Sequence, residues 1–353
     1  MSILLDEKHG VAYLRLQSLA WQWSLAGDYD MFTPRCAPAL LDIIRKAADD
    51  ERPLVVNCRR MRRLMSHALK TVAEELTTNP KAVVAFCEVD GSDSVDLYED
   101  GPPAPTLARE LEIQLKSASV LKHWKHRPSH IIYGARAGAF ENTIASSLKD
   151  TAVGINLEDR SIDAAICSCF VRYATPRRLQ STPLKGPGVF KAARLIGRPP
   201  IFARIILRLA DHIEDALSDD SFILPDSDIR LLACSRNAAC IASCLRGFTE
   251  QCGIEGVDIV DRLGPVHRYI EDYSTHRRSV DANEVSYIFV SDFVVGGSEL
   301  RAALARAQEH QRHLTHALCL GSLLPPEAFA HYCRLLRLTD LSALGMGLSY
   351  TIP

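Results

Sequence analysis

The sequence contains no apolar run near the roughly 18 residues that a bilayer-spanning helix requires, so no such helix and no membrane partner is expected. Its opening, MSILLDEKHG, lacks a charged segment leading into a long apolar stretch and a cleavage site, which points to the cytoplasm. Charge of neither sign dominates. With a formal net charge of −2, only a local basic patch would serve a polyanionic partner. Although the chain holds eleven cysteines, no two of them are spaced CxxC. Cys234, Cys240 and Cys244 fall close enough for a metal site to be conceivable, but reduced core thiols are the better reading without paired ligand spacing. His310, His313 and His316 straddle a helix end and the next strand, and read as surface and capping histidines. Walker A, nucleophile-elbow and zinc-protease motifs are absent, as are internal repeats, and no metal centre is expected.

What is present is alternation. The 353 residues suffice for two separate cores. Val11–Leu16, Pro53–Val56, Ala82–Val89 and His130–Tyr133 read as strands. Pro34–Ala48, His67–Leu76, Thr106–Trp124 and Ala139–Leu148 read as helices, the first with Leu40, Leu41, Ile43 and Ile44 on its apolar side. That order predicts a mostly parallel sheet covered by helices. The first 100 or so residues weakly resemble the STAS fold, through the strand LVVNC at Leu54–Cys58, the loop Arg59–His67 and the helix after it. The resemblance maps a phosphorylation switch onto Ser66, with Met65 where that family carries an aspartate. Ser66 as a helix cap is the alternative. The same loop packs Arg59, Arg60, Arg62 and Arg63 into five positions, a cluster suited to a protein or nucleic-acid partner or else a solvated loop.

From Ser181 the pattern changes. A Pro/Gly-rich stretch leads to a helix at Ile201–Leu217, in which Asp211, His212, Glu214 and Asp215 read as a solvated acidic face. Ile229–Cys234 is a buried strand, and the loop Ser235–Ala238 opens a helix over Ala239–Glu250. Further strands are expected at Val257–Asp261, Val285–Val290 and Ala317–Leu323. Between the last two lies SDFVVGGSEL, Ser291–Leu300, opening a helix to about His310. Strand, glycine-bearing loop and helix together suit a phosphate, because glycine lets the backbone approach an anion and helix-start amides point at it.

This order, with YIFVSDFVVGGSEL over its full length, resembles a type I phosphoribosyltransferase of the orotate branch, over roughly Ser181–Leu324. The expected fold class is therefore α/β with two α/β domains. Residues 1–180 form the first, STAS-like over about 1–100, and residues 181–353 form a phosphoribosyltransferase-like, mainly parallel sheet flanked by helices. By the resemblance, Asp292 is the catalytic acid that binds a ribose hydroxyl of phosphoribosyl pyrophosphate (PRPP). Gly296, Gly297, Ser298 and Glu299 hold the 5′-phosphate, Ser235, Arg236 and Asn237 contact pyrophosphate, and Ser291 lies beside them. Arg268, His276, Arg277 and Arg278 fall near the family's mobile loop. Mg²⁺ would accompany PRPP as the one cofactor.

Departures from the signature bear on activity. Ser291 stands where the first acid belongs, Glu299 replaces a hydroxyl residue, and Arg262–Ser286 has no lysine. The resemblance then implies a protein that binds PRPP or a related nucleotide with weak or lost turnover. Regulatory or effector roles in bacterial defence systems such as retrons are known for divergent members, and an oligomer or a place in a complex is expected. An active transferase moving ribose 5-phosphate to a base, and an interaction scaffold with a vestigial pocket, are the alternatives.

Overall fold

A computed structural model describes residues 3–23, 30–89, 107–116, 118, 120–123, 130–149, 152–178, 184–217, 228–249, 253–260, 285–309, 312–331, 333–341 and 349–350. The chain divides into two compact units, Met1–Ser161 and Ile162–Pro353. The composition shift at Ser181 lies outside the described residues.

In the first unit the elements run β1 (Leu4–Asp6), β2 (Val11–Arg15), α1 (Leu16–Trp23), β3 (Met31–Phe32), α2 (Ala37–Asp49), β4 (Leu54–Asn57) and β5 (Arg63–Leu64). They continue with α3 (Ser66–Thr78), β6 (Val84–Cys87), α4 (Leu107–Leu115), β7 (Val120–His123), β8 (His130–Tyr133) and α5 (Ala137–Lys149). The main sheet has the order β1-β2-β4-β6-β8-β7. Its centre, β2, β4 and β6, is parallel, while β1, β8 and β7 pair antiparallel, so the sheet is mixed. α2 places Leu40, Ile43, Ile44 and Ala47 in the core at helical spacing, with Pro38 in its first turn and Lys46 in its last.

Two expectations fail here. The helix expected over Thr106–Trp124 stops at Leu115, and Val120–His123 instead pairs with β8; ladder bonds and a β-branched valine outweigh local helix propensity. Ser66 is not a cap: it is the first residue inside α3, exposed, with Met65 at the cap position and no side-chain capping bond.

Helix α6 (Ala152–Cys169) straddles the division. The second unit then runs β9 (Phe170–Arg178), β10 (Leu184–Phe190), α7 (Ala193–Ile196), α8 (Pro199–Leu217), β11 (Asp228–Ala233), α9 (Arg236–Thr249) and β12 (Ile254–Ile259). After these come β13 (Val285–Val294), α10 (Ser298–Glu309), β14 (His313–Ser322), β15 (Arg334–Asp340) and β16 (Ser349–Tyr350). β9 and β10 pair antiparallel, Lys185 opposite Arg178 and Phe190 opposite Phe170, and β16 adds to β10. The main sheet, ordered β12-β11-β13-β14-β15, is parallel throughout. α8 buries Phe202, Ile205, Ile206, Leu209 and Ile213 at helical spacing. Its acidic run is not one solvated face, because Asp211 lies on the same side as Arg204, seven residues earlier, and both are buried.

A polar bridge crosses three strands of this sheet. Arg230 of β11 grips Asp258 of β12 with two bonds, Nε to Oδ2 at 3.0 Å and Nη2 to Oδ1 at 2.8 Å. The Tyr287 hydroxyl of β13 donates to the same Oδ2 at 2.8 Å. A Cβ on Gly256 would lie 2.9 Å from the Arg230 guanidinium, so the bare glycine makes its room. Burial works to raise the Asp258 carboxyl, but the bonds from Arg230 and Tyr287 outweigh it and hold the group below the usual carboxylate range. A depressed folded-state pKa stabilises the protein at pH above the unfolded value of about 3.9, and that stability is lost as pH falls through the folded value. The second unit's urea midpoint should therefore drop in Asp258→Asn at pH 7, with the difference from parent narrowing in acid. A gap of the same size at both pH values would remove the charged bridge as its source.

Candidate functional site

The two loops singled out by sequence open at the carboxyl ends of neighbouring parallel strands, where open α/β sheets receive ligands. Beyond β11, the Ser235 hydroxyl accepts the Ala238 amide at 3.1 Å and its carbonyl accepts the Ala239 amide at 2.8 Å. Ser235 is thus the N-cap of α9. Capping starts the helix three residues before the expected Ala239, so Arg236 and Asn237 lie in its first turn and not in a loop. Arg236 is exposed, and Ser235 and Asn237 are half-buried.

β13 is longer than its apolar run predicts. Pairing with β11 ends at Ala233 opposite Val290, whereas pairing with β14 continues to Val294 opposite Ser322. Residues Ser291–Val294 therefore stand as a step above the end of β11, in strand and not in loop conformation. Strand alternation sends the two signature positions opposite ways. Ser291 is buried and its hydroxyl donates to the Phe293 carbonyl at 3.4 Å. Asp292 is half-buried, and its Oδ2 accepts a bond from Asn237 Nδ2 at 2.8 Å. That bond joins the two segments across 55 residues of sequence.

The turn after the step is short. Gly296 and Gly297 are both buried, and the Gly297 carbonyl accepts the Arg301 amide at 2.9 Å, placing it at the start of α10. Gly297 has φ +70°, and a Cβ there would lie 2.3 Å from Cζ of Phe329. Its glycine is thus required by packing, independently of any approach to an anion. Ser298 and Glu299 occupy the first turn and are exposed as residues. The Glu299 carboxyl nonetheless sits among protein atoms and is raised, by that burial first and by the charge of Asp292 second. The Cys234 thiol is pushed up to about 12 by burial and by Glu299. Cys319 reaches about 12 too, mainly by burial, with Arg337 opposing and Asp292 adding. Two carboxylates, Asp292 and Glu299, consequently share one electrostatic neighbourhood, a relation that their separation of seven positions does not announce. Among the described residues no three His, Cys, Asp or Glu side chains converge on a metal position.

No family model and no curated protein matches the chain. It is similar in structure to orotate phosphoribosyltransferase from Aeropyrum pernix, at 13% identity and TM-score 0.37, over 52% of this chain and 96% of that one. Adenine phosphoribosyltransferase from Trypanosoma brucei matches at 11% and 0.35, over 52% and 80%. UMP synthase from Leishmania donovani matches at 13% and 0.36, over 88% and 81%.

Other candidates are dispersed. Arg268, His276, Arg277, Arg278 and His310 lie outside the described residues. His316 is buried, its Nδ1 3.1 Å from the Thr315 hydroxyl, whereas His313 is exposed at the start of β14, so these two do not face one ligand. The arginine cluster is partly consumed. Arg62 is ion-paired with Asp30, Arg63 enters β5, Arg60 takes φ +64°, and Arg59 and Arg60 are half-buried. All ten described cysteines are free thiols, seven of them buried. One feature escaped the sequence. Phe190 of β10 stacks on Phe293 at 4.7 Å between ring centroids and Phe170 of β9 packs on it at 5.8 Å, which roots the β9–β10 hairpin beside Asp292.

Proposed function

We propose that the crevice between Ser235–Asn237 and Asp292–Glu299 binds PRPP or a related nucleotide phosphate, in a protein that regulates or signals and does not turn the ligand over efficiently. The observation that carries this reading is the Asn237–Asp292 bond, which gathers both signature segments at the carboxyl ends of β11 and β13. Asp292 is the acid that meets a ribose hydroxyl. The amides opening α10 and α9 supply donors toward phosphate groups, since the first amides of a helix lack intrahelical partners. Mg²⁺ brought in with PRPP is a hard cation that takes oxygen ligands, and Asp292 and Glu299 are the carboxylates that would hold it. A cation bound there would also lower the Glu299 carboxyl, which burial first and the charge of Asp292 second hold up. Poor turnover follows from buried Ser291, which supplies neither charge nor a reachable hydroxyl.

Calorimetric titration with PRPP, with and without Mg²⁺, tests the reading. Binding should need Mg²⁺, and Asp292→Asn should weaken it by about 1–3 kcal/mol, the usual loss for a hydrogen bond to a charged group. No binding by the parent, or equal binding by the variant, would exclude this crevice. Brisk release of pyrophosphate when bases are supplied would make the protein a transferase instead.

A further inference from the structure

The net charge of −2 conceals a strong local bias. Between Asp163 and Asp211 the sequence has no acidic residue and nine lysines and arginines. Two of the nine, Arg204 and Arg208, lie on α8, where Arg204 is buried. The others fall on the β9–β10 hairpin and the turn and helix that follow. Pairing sets Arg178 opposite Lys185 and Arg172 opposite Gly188, and the Lys191 amide bonds the Cys169 carbonyl where the hairpin closes. Arg172, Arg177, Lys191, Arg194 and Arg198 are all exposed. Among the described residues none of these five forms an ion pair with a carboxylate, unlike Arg62, Arg230 and Arg337. The Arg177 guanidinium lies 4.7 Å from the Tyr173 ring centroid, a cation over an aromatic face.

We propose that hairpin β9–β10 and α7 form a binding surface for the phosphodiester backbone of nucleic acid. An extended ribbon carrying unneutralised guanidinium groups fits a linear array of phosphates, each of which arginine grips with two parallel bonds. Arginine predominates over lysine on this surface, as expected for phosphate contact more than for a solubilising fringe. A lipid surface fits less well, because among the described residues the one exposed large apolar side chain on the hairpin is Val189. The surface shares no residue with the proposed PRPP crevice and does not depend on the preceding reading.

The experiment is fluorescence anisotropy of the full-length protein with mixed-sequence single-stranded DNA, single-stranded RNA and duplex DNA, across a salt series. The parent should bind at low salt, with affinity falling linearly in log–log form. The triple variant Arg172→Gln, Arg177→Gln, Arg194→Gln should lower the single-strand salt slope by about 2, at about 0.7 for each lost phosphate contact. These side chains are exposed, so the thermal midpoint should not move; if the triple variant does not fold, each single variant should lower the slope by about 0.7. Asp292→Asn should bind nucleic acid like the parent, which separates failure here from failure of the crevice. Absence of binding at low salt, or an unchanged slope in the variants, overturns the proposal. Displacement of the oligonucleotide by polyglutamate at equal charge, or equal hairpin-dependent binding to phosphatidylserine vesicles, also overturns it, in favour of an acidic protein or a membrane.

Discussion

Gly297→Val is expected to leave little folded second unit at room temperature, at a cost on the order of 4 kcal/mol or more, since strain and overpacking act at one position. The backbone at Gly297 has φ +70°, a region that a β-branched residue enters only as an outlier. The new Cβ would also sit 2.3 Å from Cζ of Phe329 and 3.2 Å from Cδ1 of Leu324. Phe329 is buried in the core that holds Leu300, Leu304 and Cys319, with the Arg301 guanidinium 5.7 Å from its ring centroid. The ring therefore has little room to move. Circular dichroism and urea unfolding of the variant check this, and a midpoint within experimental error of the parent would show that the turn relaxes. Loss of ligand binding in this variant says nothing about phosphate, which is why Asp292→Asn is the informative substitution for the crevice.

Glu158→Ala should destabilise the first unit by about 3–5 kcal/mol, because it strips a partner from a buried charge. Arg15 at the end of β2 and Glu158 on α6 expose only 3% and 5% of their side chains, and Nη1 lies 3.6 Å from Oε2. Taking two such charges out of water is costly and their attraction offsets the cost only while both are present. Tyr13 is coupled to the same group: its phenol is held well above the ordinary range by burial first and by Glu158 next. Glu158→Gln keeps the shape and one acceptor, and should lose less than the alanine variant. Urea midpoints of the three proteins that coincide would mean that Arg15 finds adequate compensation elsewhere.

Much of the frame was readable from residues because burial on both faces leaves continuous apolar runs. IRLLA, VSYIFV and ALCL each became central strands of a parallel sheet for this reason. The hairpin was not readable. FVRYATPRR is charged and contains proline, and LKGPGVF has two glycines and a proline; its strands are set by pairing with each other and by Phe170 and Phe190 packing on Phe293. β15, with the sequence RLLRLTD, carries arginines at a spacing of three that imitates a helix face, yet it is an edge strand beside β14. The sequence pattern names Asp292, Asn237 and the glycine turn as candidates, but not their relation. That Asn237 lies within α9, that Ser291 faces inward, and that Phe329 claims the space above Gly297 all depend on tertiary packing. The shared neighbourhood of Asp292 and Glu299 also arises only when the strand runs past β11 and the helix turns back.

The bond from Asn237 to Asp292 also fixes where that carboxylate points before any guest arrives. A carboxylate oxygen takes more than one donor, as Oδ2 of Asp258 does with Arg230 and Tyr287. A hydroxyl donating to Asp292 would therefore add to the Asn237 bond and not displace it, meeting an acceptor whose rotamer freedom is already restricted.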